Sequence, residues 1–409
     1  MTETIYSSLI LPCGQVIRNR IAKAAMEENM ADADGNPSKQ LLGLYKQWSL
    51  GGTGLLITGN VMVDGHAMTG PGGVVLDANA PLKPFKQWAH IAQLNDTKAW
   101  MQINHPGRQV FSALKGKALS PSDIQVDLGK RSNMIAKPKA LTKAEIHDII
   151  QRFALTASRA EETGFSGVQI HAAHGYLISQ FLSPISNKRQ DQWGGSIENR
   201  SRMLLETVRA VRAAVSDQFA VSVKLNSADF QRGGFSEDDA RYVIEQLNNE
   251  KIDLVELSGG SYESPAMQGR TADGRTLARE AYFLEFAEEL KQVAQMPLMT
   301  TGGIKRKPVA ESVLEAGIDM IGIATGLALE PRLPDIWKTD PNKTVSMPEP
   351  NFSDKAISAL ATMAIVRRQL QRLGKGKAPK ADVSPLFTLI KDRVRFARMT
   401  KRYNARISA

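Results

Sequence analysis

Eight short apolar runs recur between residues 20 and 324, and they constrain the fold of this 409-residue chain more than any other feature. Most of the segments between them are amphipathic, rich in Ala, Glu and Arg, and long enough for a helix and two loops. Apolar strands that alternate with helices imply a parallel sheet with right-handed crossovers. Eight repeats favour a closed (β/α)8 barrel, the TIM barrel, over an open sheet. The predicted strands are Arg20–Ala25, Leu55–Val61, Ala99–Asn104, Gly167–His171, Ala220–Leu225, Asp253–Ser258, Pro297–Thr301 and Asp319–Ala324.

A doubly wound open sheet is the alternative architecture. It would be expected to carry a Gly-x-Gly-x-x-Gly turn after an early strand, and the sequence contains none. Long insertions at Pro106–Pro138 and Gly175–Gly195 explain the length beyond a minimal barrel. The main predicted helices are Lys143–Thr163, Ile197–Val215, Glu237–Glu250, Arg279–Ala294 and Val309–Ala316.

The chain changes character after Pro350. Residues 351–409 carry fourteen Lys and Arg against three Asp, so the net charge of +10 originates in this segment. We predict two basic helices, Asp354–Leu373 and Ser384–Met399, separated by a breaker cluster. The predicted organisation is therefore a single α/β barrel with a short N-terminal turn over residues 1–345 and a basic helical extension over residues 346–409. Such segments can bind RNA or membrane surfaces, but solvated helix faces are commoner, and we expect no nucleic-acid partner.

Targeting signals and cysteine content exclude several classes of protein. The N-terminus has neither the basic nor the apolar region of a signal peptide, and no apolar run approaches the length of a membrane span. Cys13 is the single cysteine, which excludes an intramolecular disulfide, a Cys-ligated iron–sulfur cluster and a Cys-rich zinc site. We expect a cytoplasmic protein.

Three polar side chains follow the fourth predicted strand within six residues: His171, His174 and Tyr176. Imidazoles and a phenol are costly to bury together unless each has a partner. In a barrel of this type the chemistry lies at the carboxyl ends of the strands. We therefore predict a site here, against the alternative of two core histidines beside a stacking tyrosine.

Other strand ends contribute groups that suit flavin mononucleotide (FMN). The turns at Gly302-Gly303 and Ala324-Thr325 follow strands seven and eight, where barrels commonly bind phosphate. Lys224 would stabilise an anionic reduced ring, and the Gln102 amide suits the pyrimidine edge. An ion pair between Lys224 and Glu256 is the alternative interpretation of this lysine.

The chain resembles the Old Yellow Enzyme family of NADH:flavin oxidoreductases over roughly residues 5–340. The resemblance depends on His171-Ala-Ala-His174-Gly-Tyr176, on Asp191-Gln-Trp-Gly-Gly-Ser-Ile-Glu-Asn-Arg200, on Asn19-Arg20-Ile21 and on Asp229-Phe-Gln-Arg-Gly-Gly-Phe235. It implies that residues 1–345 form an FMN-binding barrel. The resemblance also implies that His171 and His174 bind the oxygen of the substrate's activating group and that Tyr176 is the proton donor. The expected cofactor contacts are Ala24, Ala25, Met26, Glu27, Asn60, Gln102, Lys224, Gly302, Gly303, Ala324 and Thr325.

The implied reaction moves a hydride from NADH or NADPH through FMN to the C=C bond of an activated alkene. Enones, enals and nitro compounds qualify, because negative charge can build on their oxygen where two imidazole N–H groups stabilise it. A tyrosine, with a reference pKa of about 10, can then protonate the alpha carbon. The expected partners are an electrophilic alkene or quinone-like substrate and a nicotinamide nucleotide, with a homodimer left open.

Three departures from the family pattern affect the prediction. Glu27 stands where the family has a hydroxyl or thiol that tunes the flavin. The strand-eight turn has Ala324-Thr325 where Gly-Arg is common, so phosphate binding would depend on backbone amides, a hydroxyl and Lys305 or Arg306. Asn29 and Asn104 replace pocket aromatics of some members, and the substrate preference cannot be carried over.

Three alternatives stay open. His105, His171 and His174 could form a three-histidine metal site. A flavin barrel that reduces an RNA base would need a cysteine acid near the ring, and Cys13 precedes strand one. A non-enzymatic flavin-binding protein is the third.

Overall fold

The computed structural model describes residues 4–266, 280–281, 283–346, 348–380 and 382–408 of the chain. Eight parallel strands close into a barrel in chain order, because the fourth strand pairs with both the fifth and the third. The (β/α)8 prediction is confirmed. The strands are β1 Ile21–Lys23, β2 Leu55–Ile57, β3 Lys98–Asn104, β4 Gly167–Ala172, β5 Ala220–Asn226, β6 Leu254–Ser258, β7 Leu298–Thr300 and β8 Met320–Ile323.

The second strand is shorter than predicted. It ends at Ile57, and Val61–Met62 forms a separate strand that pairs with the end of β3. Gly59 lies at the break, where a Cβ atom would stand 2.1 Å from the Glu28 carboxylate and 2.2 Å from the Met26 carbonyl oxygen. The chain after β2 therefore packs tightly against the loop that follows β1.

The barrel interior is apolar at the amino ends of the strands and polar towards their carboxyl ends. Trp100, Met299 and Met320 fill the lower part, and Leu11 and Ile17 from the N-terminal hairpin close it from below. This arrangement leaves the carboxyl ends of the strands as the open face of the barrel.

Helices cover the outside of the barrel through their apolar faces. Ser38 caps helix α1 (Lys39–Ser49), because its side chain accepts the Leu41 N–H, and Thr142 and Glu145 form a capping box at the start of helix α3 (Lys143–Glu162). The predicted helices are present apart from shifts at their ends, and Arg279 lies outside the described residues. The helices of the barrel and its loops are α1 Lys39–Ser49, α2 Leu82–Ala92, α3 Lys143–Glu162, α4 Leu177–Leu182, α5 Ile197–Ala214, α6 Glu237–Leu247, α7 Leu284–Lys291, α8 Lys307–Glu315, α9 Thr325–Leu329 and α10 Leu333–Thr339.

The C-terminal segment forms two helices, α11 Lys355–Leu373 and α12 Pro385–Ser408, so the second is longer than predicted. Arg367 joins them through a two-pronged ion pair with Asp392. The pair packs against the barrel, since Gln40 donates to the Gln371 carbonyl oxygen at 2.7 Å. Within the described part of the chain, no helix is long and apolar enough to cross a membrane.

Candidate active site

His171 is the penultimate residue of β4, and its side chain is buried. Its Nδ1 accepts the backbone N–H of Ala173 at 3.2 Å, which places the ring proton on Nε2. Burial lowers the pKa of His171 well below its usual value, and the nearby Lys224 ammonium lowers it further. The ring is therefore a neutral imidazole with one N–H to donate.

His174 follows in the left-handed backbone conformation, with a φ of 61°. Its backbone N–H donates to the Asn226 side chain at 3.0 Å, and its Nε2 lies 2.7 Å from the Ser258 hydroxyl. Burial, and then Lys224, lower the pKa of this ring well below its usual value. Either group can be the donor in this contact, and in the tautomer in which Ser258 donates to Nε2 the proton of the neutral ring lies on Nδ1.

Tyr176 is the capping residue of the short helix α4, and its ring meets that of His171 edge-on with centroids 4.9 Å apart. The two histidine rings lie 5.0 Å apart. Burial raises the pKa of the Tyr176 phenol well above its usual value, so the hydroxyl keeps its proton at neutral pH. The Asn60 side chain lies 3.5 Å from the phenol oxygen. The three predicted catalytic side chains are thus brought together.

Tyr262 is a site residue that sequence reasoning missed. Its hydroxyl lies 3.2 Å from that of Tyr176, although 86 residues separate them. Gln109 positions it by accepting the Tyr262 backbone N–H while its amide donates to the His174 carbonyl oxygen. The ion pair between Arg108 and Glu263, at 2.6 Å, fixes the same loop. The only signal in the sequence was a tyrosine shortly after the strand-six Ser-Gly-Gly turn.

A chain of hydrogen bonds crosses the barrel below these residues. The Lys224 ammonium contacts Glu256 at 2.8 Å, and Gln169 donates to the other oxygen of that carboxylate at 2.9 Å. Gln102 donates to Gln169 at 2.7 Å. The ion pair weighed as the alternative for Lys224 is therefore present. It also orients Lys224 and Gln102, the two side chains expected to contact the flavin ring.

Glu27 follows β1 and the loop residues Ala24, Ala25 and Met26. It accepts a hydrogen bond from the Thr69 hydroxyl. Burial raises the pKa of Glu27 above its usual value, against the opposing effects of Thr69 and of the Arg367 guanidinium. Glu27 in turn raises the pKa of both Tyr176 and Tyr262, which places its charge close to the phenols.

The predicted phosphate turns have the backbone that such a site needs. Gly302 and Gly303 both adopt positive φ, at 126° and 71°, which a residue with a Cβ atom rarely does. Ala324 caps α9, which begins at Thr325. Arg306, named as an alternative phosphate ligand, is paired with Glu280 at 2.8 Å. Backbone amides, the Thr325 hydroxyl and the Lys305 side chain are the other donors expected at these turns; the Lys305 backbone N–H itself donates to Glu280.

The three-histidine metal site is not assembled. The Nδ1 atom of His105 accepts the Gly107 N–H at 3.1 Å, and burial lowers the pKa of His105 to about 4 against the opposing effect of the Asp64 charge. No group of three His, Cys, Asp or Glu side chains within the described residues could hold a metal ion. Cys13 lies at the opposite end of the barrel, where its N–H donates to Asp253 before β6. It cannot serve as an acid beside the strand ends.

The open face fits FMN. Buried polar atoms without a partner lie at the carboxyl ends of three strands, and the polar edge of a flavin would satisfy such atoms. They belong to Asn60, Asn104 and Thr300. Together with Gln102, Lys224 and the Gly302-Gly303 turn, they give the open face the polar groups that a flavin-binding (β/α)8 barrel, the class of protein indicated here, would need.

Comparison with known proteins gives the family. Residues 13–342 match the NADH:flavin oxidoreductase / NADH oxidase family, and the chain belongs to it. The chain is 35% identical over 348 residues to the NADH-dependent flavin oxidoreductase iliE of Hypocrea jecorina, which covers 80% of this chain and 86% of that protein. The chain is therefore an oxidoreductase, as predicted, and the expected FMN and NADH are confirmed for the family.

Solved structures agree on the fold. An Old Yellow Enzyme homologue from Zymomonas mobilis superimposes with a TM-score of 0.71 at 22% identity, over 84% of this chain and 95% of that one. A 2-naphthoyl-CoA reductase gives 0.75 at 25% identity over 83% of this chain. The match spans about half, 53%, of that larger protein.

Proposed function

We propose that this chain is an FMN-dependent ene-reductase that uses NADH or NADPH to reduce the C=C bond of enones, enals and nitroalkenes. The observation that carries the proposal is the cluster of His171, His174 and Tyr176 at the end of β4, with ring centroids about 5 Å apart. FMN, when bound, accepts a hydride from the nicotinamide and delivers it to the beta carbon of the substrate.

The two histidines provide the electrophilic part of the site. Each neutral imidazole has one nitrogen occupied, by the Ala173 N–H in His171 and by the Ser258 hydroxyl in His174. When Ser258 is the donor to His174, the other nitrogen of each ring carries an N–H for the substrate. Two such donors stabilise the negative charge that builds on a carbonyl or nitro oxygen during hydride addition.

Tyr176 supplies the proton in this proposal. Its hydroxyl stays protonated because burial raises its pKa. Proton transfer leaves a phenolate, which the Tyr262 hydroxyl at 3.2 Å and the Asn60 amide at 3.5 Å can stabilise. Tyr262 is thus a second phenol in the proton-donating unit.

The test separates the two half-reactions of the FMN-loaded protein by anaerobic stopped-flow. Tyr176→Phe should leave flavin reduction by NADH within about twofold of wild type and slow reoxidation by 2-cyclohexenone by about 100-fold. The matched control is Tyr6→Phe, whose hydroxyl bonds the Pro334 carbonyl oxygen away from the cluster. Equal slowing of both half-reactions, or of neither, would contradict the role of Tyr176.

A further inference from the structure

A basic cavity lies between the C-terminal helices and the loop that follows β1. Its volume is about 450 Å³, which is within the range of small-molecule sites. Residues spaced three or four positions apart on α12 form one wall, so a single face of that helix lines it. We refer to it as the C-terminal cavity.

Seven cationic side chains line the C-terminal cavity, against only two carboxylates. The carboxylates are engaged elsewhere: Asp392 pairs with Arg367, and Asp32 accepts the backbone N–H groups of Asp34 and Asn36. Within the described part of the chain, none of the seven cations forms an ion pair. They are Arg368, Lys375, Lys391, Arg395, Arg398, Arg402 and Arg406.

The seven cations are not simply a solvated helix face. Four of the seven are exposed to solvent, but all seven line the same concavity, six from α11 and α12 and Lys375 from the turn that follows α11. Like charges gathered in this way repel one another, and a bound anion would relieve that repulsion. Among the described residues, the hydrogen bonds of Arg368 and Arg395 go to neutral groups, the Thr388 hydroxyl at 2.6 Å and the Asn29 carbonyl oxygen at 2.5 Å. Guanidinium groups in this arrangement match the oxygens of phosphate.

The C-terminal cavity lies next to the loop that carries Glu27. Arg395 lines the cavity and bonds to Asn29, two residues after Glu27. Gly72 packs between α12 and this loop, since a Cβ atom on Gly72 would lie 2.7 Å from the Asn29 carbonyl oxygen and 3.0 Å from the Met399 sulfur. A reactant could therefore place its reacting end in the catalytic site and an anionic end among these arginines.

We propose that the C-terminal cavity binds the phosphates of a reactant that carries a phosphorylated adenosine. This inference rests on the proposed function, since it concerns a reactant of the same site. Two reactants offer that chemistry: the 2′-phosphorylated nicotinamide nucleotide as hydride donor, and an enoyl thioester of coenzyme A as hydride acceptor. The basic extension at residues 346–409 then contributes to substrate recognition.

Binding is tested by calorimetry on the FMN-loaded full chain, with adenosine 2′,5′-bisphosphate, adenosine 3′,5′-bisphosphate and adenosine as probes. One or both bisphosphates should bind, with adenosine at least tenfold weaker. The double variant R398Q/R402Q should weaken bisphosphate binding at least tenfold, since each charge-assisted hydrogen bond contributes about that factor. The control R393Q/K401Q removes the same charge from exposed positions of α12 outside the cavity and should bind as wild type does.

Kinetics distinguish the two reactants. If the cavity binds the phosphate of the 2′-phosphorylated nicotinamide nucleotide, R398Q/R402Q raises KM for NADPH at least tenfold and leaves KM for NADH unchanged. If the cavity binds the phosphates of the coenzyme A thioester, R398Q/R402Q raises KM for crotonyl-CoA and not for crotonyl-pantetheine. Bisphosphate binding equal in wild type and R398Q/R402Q, or an enzyme that turns over with no KM response in either arm, overturns the proposal. Because calorimetry needs no turnover, bisphosphate binding without alkene reduction would refute the proposed function and leave the phosphate site standing.

Discussion

The hydroxyls of Tyr176 and Tyr262 lie 3.2 Å apart across the mouth of the barrel, one from the loop after β4 and the other from the loop after β6. Burial raises the pKa of both phenols, so each is a hydrogen-bond donor at neutral pH. If Tyr176 gives up its proton during catalysis, the charge it acquires falls next to a donor that is already in place.

Tyr262→Phe should therefore slow the oxidative half-reaction without removing the proton donor. The lost hydrogen bond to a developing phenolate is worth about 1.5–3 kcal/mol, or roughly 10- to 100-fold in rate. Flavin reduction by NADH should stay within about twofold of wild type. Anaerobic stopped-flow with 2-cyclohexenone measures both steps, and Tyr242→Phe on α6 is the matched control. Reoxidation at the wild-type rate would show that Tyr262 only packs against Tyr176.

The Tyr176–Tyr262 contact also shows where sequence reasoning ends. Alternation of apolar and amphipathic segments predicted the barrel, and the carboxyl-end rule placed His171, His174 and Tyr176 together. The Lys224–Glu256 pair could be anticipated because the two residues occupy adjacent parallel strands. Tyr262 could not, since its position depends on contacts between loops, through Gln109 and through Arg108 with Glu263.

The C-terminal helices illustrate the same limit. Their periodicity and charge were visible in the sequence, whereas the surface they cover was not. Amphipathic spacing predicts that one face of α12 is packed, but tertiary contacts such as that of Arg395 with Asn29 determine which surface that face packs against. The cavity beside the loop after β1 therefore appears only in the folded chain.

The buried pair of Lys224 and Glu256 should behave as a coupled unit. Removing one partner leaves an uncompensated charge, so Lys224→Met and Glu256→Gln should each lower the free energy of unfolding by about 3–5 kcal/mol. The double variant should lose clearly less than the sum of the two. Urea unfolding followed by circular dichroism measures the cycle. Additive losses would mean that the 2.8 Å contact contributes little net energy.

His105 should make the stability depend on pH. Burial lowers its pKa to about 4 in the folded chain, against a usual value of 6.5. The unfolded chain therefore takes up the proton first as the pH falls, and folded-state stability is present in full above pH 6.5 and is lost between 6.5 and 4. Between pH 7.5 and 5.0 the loss from this residue amounts to about 2 kcal/mol.

The variant His105→Asn tests this expectation, since an Asn oxygen can still accept the Gly107 N–H. Its free energy of unfolding should fall less than that of wild type between pH 7.5 and 5.0, by about the same 2 kcal/mol. The exposed His90→Asn on α2 is the control and should follow the wild-type curve. An unchanged slope in His105→Asn would mean that other groups account for the acid sensitivity.

Glu27 should give the flavin potential an additional dependence on pH. Burial raises the pKa of its carboxyl group, so the group is neutral at low pH and charged at high pH. A negative charge beside the ring disfavours the addition of electrons, whereas Gln is neutral throughout. The midpoint potential of Glu27→Gln should therefore approach that of wild type as the pH falls and exceed it as the pH rises, by roughly 30 mV or more where Glu27 is ionised, about 1.4 kcal/mol for two electrons. Spectroelectrochemical titration of both proteins from about pH 5 to about pH 9 makes the measurement, with Glu237→Gln on the exposed start of α6 as the control. A constant offset at every pH would mean that Glu27 titrates outside the measured range. No offset at any pH would mean that the charge of Glu27 does not affect the flavin potential.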